Sequence, residues 1–482
     1  GGMRSATKIL AAAVCLFAPR LAFSAEANGE PICVEVDIEA AGAATGETAA
    51  LQSRIDAAWR KGGGVVEVPP GVHWVPKGLT LKDNVTLRVV KNATLLGSTN
   101  GFEYVVGALV NAQGAKNIAL EGEGTLDAQG NKWERRRFDA NGKHVGWRSP
   151  DRAFNVCYFK ECRNVRVEGV WHGVVEPEPP AVASLYVGMF AVRDCAYVTI
   201  SNCTMSARRN RNGGSYDTEP TGVVGLTYVD CRQANDIHDD GNWGVMGSNY
   251  CKDMLVERCS LSRVDAHQGV CGLTVRDSEL GAEGISVVGF GTLLLENTTF
   301  TSRYMVYLRY DYGSFWDGEM VIRNCRFVPT YKDEVAAIRI SNGEDTDFGY
   351  DCMMPWRVTV DGLTIDDSKV GKSSSAPYLF TGINARHTGP EYVPAIPYRM
   401  GERVVTRGVT VASGRTLGLS PNGWMFRDID VEAEPDGIRD DLAFSYAGQT
   451  PGWNWTNGTF AVDVTHVEMN VICGHPVSVF EN

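Results

Sequence analysis

Three stretches of this 482-residue chain gather ionisable side chains at closely comparable points. The first reads His238-Asp239-Asp240-Gly241-Asn242-Trp243, the second Asp265-Ala266-His267-Gln268-Gly269 and the third Arg309-Tyr310-Asp311-Tyr312-Gly313, with Glu283 between the last two. Carboxylates crowded into one site split their pKa values, so that one stays protonated as an acid while the other serves as a base. That equipment suits acid–base cleavage of a glycosidic bond, which needs carboxyls about 6.5–9.5 Å apart for inversion or about 5 Å apart for retention. Each stretch also has a plainer reading. Asp-Asp-Gly and Asp-Tyr-Gly are turn sequences, because Asp caps its own turn and Gly supplies positive φ, and a lone His267 serves equally well as a hydrogen-bonded stacking residue. Recurrence at one phase, turn after turn, makes them candidates.

The phase comes from a phrase written four times: VERCSL at 256–261, VRDSEL at 275–280, LENTTF at 295–300 and IRNCRF at 322–327. The starts are 19, 20 and 27 residues apart, the size of one turn of a β-solenoid, with an inserted loop in the longest step. The expected class is all-β, a right-handed parallel β-helix. Its turns stack like positions about 4.8 Å apart and gather its loops on one face, and the three polar stretches fall on consecutive rungs.

Upstream, Leu51, Ile55 and Ala58-Trp59 share one face at helical spacing, with Thr45 or Thr48 able to cap the start and Gly62-Gly63-Gly64 ending the run. Such a helix would cover the first open edge of the solenoid. Strands are expected at VVEV, 85–89, 93–97, 117–126, 164–170 and 197–205. The segments 131–155 and 206–222 read as loops, and SKVGKSSSAP after Asp367 reads as a linker or excursion. The division expected is 1–24 cloning remnant and secretory signal, 25–369 capped β-helix, and 370–482 final turns with a C-terminal cap.

The signal reading rests on Arg4, Lys8, the apolar run 9–18 and the small residues before Glu26, and it implies a secreted or periplasmic protein without a lipid anchor. No apolar stretch is long enough for a membrane helix. With 46 basic against 58 acidic side chains, the balance argues against nucleic acid as a partner. Thirteen cysteines would suggest disulfides in an exported chain. However, Cys162, Cys195 and Cys251 each stand three residues before a strand, and Cys203, Cys259 and Cys325 share one place in the phrase, which fits small buried residues stacked in ladders.

The segment AAGAATGETAALQSRIDAAWRKGGGVVEVPPGVHWVPKGLTLKDNVTLRV followed by GEGTLDAQGNKW resembles the polygalacturonase family of pectin glycosidases and its pectate-lyase-like β-helix relatives. The resemblance implies an inverting hydrolase of a polysaccharide or oligosaccharide, with Asn-x-Asp, Asp-Asp, Gly-His-Gly and Arg-x-Lys on successive coils. Asp239-Asp240 matches the second motif, His267 part of the third and Arg309 part of the fourth, while Asp217 lies about one coil before Asp239 in SYDTEP. Ala266 and Gln268 flank the histidine where the family has glycines, and Asp311 stands in place of the lysine. A neutral or differently acidic sugar is therefore expected instead of galacturonate.

The roles that follow are general acid for one of Asp239 and Asp240, water activation by the other or by Asp217 or Asp265, orientation by His267 and charge binding by Arg309. Trp243, Tyr310 and Tyr312 would face sugar rings, with Glu283 and Asp311 in the binding site. No cofactor is expected, although Asp239, Asp240 and Asp265 are oxygen ligands of the kind calcium takes. Two rivals stand beside this reading. One is a polysaccharide lyase using His267, Arg309 and a tyrosine on an acidic glycan, and the other a glycan-binding β-helix without catalysis.

Overall fold

The computed structural model describes residues 44–98, 103–129, 136–138, 144–147, 154–172, 187–205, 218–233, 236–238, 246–247, 251–309, 314, 316–340, 352–371, 373–381, 398–399, 402–415, 417–419 and 430–433. Among these, parallel strands coil into three long ladders that form the walls of a right-handed prism, the hand that parallel crossovers take. The first wall runs from Gly64–Val68 through Val85–Val89, Lys116–Glu121 and on to Arg403–Val411 and Asp430–Ala433. The second begins at Gly71–Trp74, and the third at Leu79–Thr80.

The repeated phrase maps onto one corner. Val256, Val275, Leu295 and Ile322 are register partners in the core, and the next residues face outward as Glu257, Arg276, Glu296 and Arg323. Asp361 and Arg407 continue that column, so its charges alternate over six rungs. The pairs Arg276–Glu257 and Arg323–Glu296 both close at 2.9 Å. Being partly exposed, each contributes only about 0.2–1 kcal/mol.

The third position of the phrase turns the chain through the left-handed region, at Arg258, Asp277, Asn297 and Asn324, with φ of 50, 52, 49 and 50°. The fourth then points inward, where a short side chain donates to the carbonyl two residues back. Cys259 reaches Glu257 at 3.3 Å, Ser278 reaches Arg276 at 2.7 Å, Thr298 reaches Glu296 at 2.8 Å and Cys325 reaches Arg323 at 3.3 Å. Cysteine is thus exchangeable with serine and threonine here, and the nine described cysteines from Cys157 to Cys325 are free thiols.

The helix Ala44–Arg60 lays Leu51 and Ile55 onto the first turn. Gln52 does at the open edge what a strand would do. It accepts from the Thr80 amide at 2.9 Å and donates to the Thr80 carbonyl at 3.0 Å. Two expectations are corrected. Thr48 lies inside the helix and donates to the Trp74 carbonyl instead of capping the start, and Trp59 is 43% exposed, with the Lys82 ammonium 4.5 Å from its ring.

Elsewhere, the stretch 131–155 contains the antiparallel pair Arg136–Phe138 and His144–Trp147. The end of 206–222 is the strand Thr218–Thr221, whose short span and Pro220 hid it from the alternation test. Asp367–Lys369 forms a 3₁₀ turn, and Arg415 ties Asp367 to the Ser374 and Ser375 carbonyls, so the start of SKVGKSSSAP is fixed to the solenoid.

Candidate active site on the third wall

In the third wall the core positions are Val264, Ile285, Val306, Ile338 and Phe380, aligned by register. Alternation sends the next residue of each strand outward. That outward column reads Thr80, Asn111, Tyr158, Ala191 and Glu219. It resumes at Gly247 and continues through Asp265, Ser286, Tyr307, Arg339 and Thr381. Since Thr218 pairs with Met246, Glu219 stands opposite Gly247, which is itself opposite Asp265. Outward positions of a sheet are usually solvated, yet Asp265 is 0% exposed and Ser286 only 4%. Buried polar residues on an outer face are the exception, and they mark this column as a candidate site.

Asp265 is ion-paired with Arg263, two residues earlier on the same strand face, and Arg309 Nη1 lies 4.0 Å from the same carboxylate oxygen. The Arg263 side chain is 6% exposed and that of Arg309 18%, so the second guanidinium is the one reaching toward solvent. Register corrects the expected stacking. Asp265 and Arg309 are not on consecutive rungs, because the rung of Ser286 lies between them. Ser286 carries no charge, and a search for ionisable clusters steps over it.

Glu283 is exposed and sits in a widened stretch, where Leu261–Arg263 is matched by Leu280–Gly284. This widening holds the segment that leads to Asp239. The Ala282 amide donates to the Ile237 carbonyl at 3.0 Å, and a Cβ on Gly281 would fall 1.8 Å from that oxygen. His238 is exposed with Nε2 3.8 Å from Glu279, and its amide donates to Asp236 at 2.9 Å, so Asp236 caps its own turn. His267 belongs to the strand Ser260–Arg276, where the register shifts between Ala266 and Val270; its side chain lies outside the described residues. Asp217, Asp239, Asp240, Trp243, Tyr310, Asp311 and Tyr312 also lie outside them.

The column adds residues that pattern reading missed. Glu219 is 3.4 Å from Arg193 Nη2, beside Tyr158, whose hydroxyl is pushed above its usual pKa by burial. Two rungs separate Glu219 from Asp265, which is about 10 Å at sheet spacing. Farther along, Glu334 accepts from Tyr304 and from Thr381, the latter at 2.7 Å. Burial raises the Glu334 carboxyl, but these hydroxyls and the nearby arginines outweigh it and hold it below the usual range. The signal for all of these was register, which a single sequence shows only where the repeat is tight.

Among the described residues no three His, Cys, Asp or Glu side chains group as metal ligands, and Asp239 and Asp240, noted above as oxygen ligands of the kind calcium takes, lie outside them. No described helix is long and apolar enough to cross a membrane.

No protein-family profile matches the chain. A KL64-capsule-specific depolymerase of Klebsiella phage P510 is 30% identical over 113 residues, 21% of this chain and 11% of that protein, so the match spans about a tenth of its length. A putative glycosyl hydrolase from Parabacteroides merdae is similar over 44% of this chain and 87% of its own, at 20% identity and a TM-score of 0.35. An exopolygalacturonase from Thermotoga maritima is similar over 76% and 88%, at 16% identity and a TM-score of 0.39. The chain is a parallel β-helix with an N-terminal capping helix, and polygalacturonases are among its structural neighbours.

Proposed function

We propose that the chain is an exported glycoside hydrolase that cleaves a polysaccharide by inversion. The observation that carries this reading is the outward column of the third wall, which bears Glu219, Asp265 and Arg339 with Arg193, Arg263 and Arg309 beside it, and which we read as a groove for the glycan. The short likeness to a capsule depolymerase supports a polysaccharide as the substrate class.

In this reading one of Asp239 and Asp240 is the general acid, and the other, or Asp217, activates water. Glu219 is a further carboxylate for that task, about two rungs from Asp265 on the same column. Asp265 is enclosed with Arg263, so its part is to hold Arg309, whose more exposed guanidinium binds the sugar or its developing charge. His267 orients the acid pair, while Trp243, Tyr310 and Tyr312 offer faces to the sugars. The signal expected within residues 1–24 carries the chain out of the cell.

The deciding experiment is product analysis on a panel of plant, bacterial-capsule and host glycans. New reducing ends without ultraviolet-absorbing unsaturated sugars support hydrolysis, unsaturated products support the lyase, and binding without products makes the protein a glycan-binding β-helix. Asp240→Asn should abolish hydrolysis in a protein that still melts cooperatively, and retained activity there would remove Asp240 from the mechanism.

A further inference from the structure

Arg339 is the next member of the outward column after Tyr307, three rungs from Asp265, or about 14 Å along the groove. Its guanidinium lies over two aromatic rings, 5.5 Å from the centroid of Tyr304 and 5.3 Å from that of Tyr307. Nη1 donates to the Tyr304 hydroxyl at 3.0 Å, and that hydroxyl is tied to Glu334. Thr381, the following rung, holds the other oxygen of Glu334. An arginine fixed this way has lost little freedom still to be given up on binding, and its planar fork fits a carboxylate edge-on. Arg339 and Tyr307 remain half-exposed, so a ligand in the groove can reach them.

Charge points the same way. The chain as a whole has 58 acidic against 46 basic residues, yet here Arg303, 3.6 Å from Glu334, and Arg339 both act on that one carboxylate. Arg303 also lies over the Tyr304 ring, at 5.2 Å. A locally positive aromatic wall on an acidic protein concentrates anions at that place.

We infer that Tyr307 and Arg339 form a glycan subsite that takes a carboxylate-bearing sugar unit several rungs away from the reacting bond. The inference rests on the reading of the groove as a polysaccharide site. It also separates recognition of acid from cleavage: the anionic group is read at Arg339, and the sugar cut near Asp265 and Arg309 is under no demand to be charged.

The test is affinity electrophoresis and calorimetry of the whole chain with polygalacturonate, alginate, polysialic acid and neutral galactan, scored for binding and, separately, for products. Carboxylated polymers should bind at least tenfold tighter than galactan, with added salt weakening only the former, and the individual polymers tell uronate from sialate. Arg339→Gln should lose tenfold or more on the carboxylated polymers and leave galactan unchanged. Arg339→Lys keeps the charge without the fork and should recover part of the loss, and Tyr307→Leu reports on the ring if the glutamine variant misfolds. Equal binding of acidic and neutral polymers, or a folded Arg339→Gln that binds acidic polymers like the parent, overturns the subsite. Acid-selective binding without products would leave the subsite standing and sink the hydrolase, and cleavage of neutral glycans with no acid preference would do the reverse.

Discussion

Asp265 and Tyr307 stand on one outward column of the third wall, two rungs apart, joined by Ser286. Because strand neighbours are about 4.8 Å apart, residues distant in sequence share one strip of surface, and a ligand lying along the prism axis meets them in turn. The fully enclosed carboxylate lies at one place on that strip, and a half-exposed aromatic and guanidinium pair farther on.

The pair Arg263–Asp265 is enclosed on all sides, with 6% and 0% side-chain exposure. Removing one member unbalances the charges of a buried site in which Arg309 is 4.0 Å from Asp265, at a cost of about 3–5 kcal/mol. Asp265→Asn and Arg263→Met should each lower the urea midpoint by that order, while Arg263→Met/Asp265→Leu together should recover most of it. Near-additive losses in the double variant would mean that the pair is not a closed unit.

Gly281 is the point where the segment before Asp239 docks. A Cβ there collides with the Ile237 carbonyl at 1.8 Å, and that oxygen already accepts from Ala282. Gly281→Ala should displace the segment by about 1 Å and cost on the order of a hundredfold in kcat. Melting should shift much less than it does for the buried-pair variants. Unchanged kcat on the glycan identified by the panel would show that the acid pair is set by other contacts.

Acid should loosen the C-terminal turns first. The Ser368 hydroxyl and Arg326 hold the Asp366 carboxyl down to about 2, from an ordinary 3.8. For Asp367, burial is outweighed by Ser413 and Arg415, and that carboxyl is also lowered. A depressed folded pKa gives stability that is complete above the unfolded value and lost as pH falls through the folded one. Melting temperature should therefore be flat above about pH 5 and fall between about pH 4 and pH 2. Asp366→Asn should shrink that fall, and an identical acid limb in the variant would assign it to other carboxylates.

Cys231 and Cys325 should be inert in the folded protein. Cys203 beside it and its own burial push Cys231 up to about 12, and burial pushes Cys325 up to about 11. Since the thiolate is the reactive form, alkylation of these sites at pH 8 should wait for unfolding. A reductant should leave the melting temperature unmoved. Rapid native labelling of Cys231 would contradict the ladder.

Sequence alone determined what repeats locally. The four phrases recur at the size of one coil and hold cysteine at one fixed place, so the solenoid and the stacked cysteines follow from spacing, while the left-handed corner shows only in the backbone. The capping helix follows likewise from the 3.6-residue period of Leu51 and Ile55. The groove was decided only by tertiary structure. Its members lie on the wall where the turn lengths vary, and there a slip of one residue moves a side chain to the opposite face. Glu219 sits in a four-residue strand that contains Pro220, Ser286 has no charge to draw notice, and Arg339 becomes part of the same strip only when its strand is laid beside Tyr307.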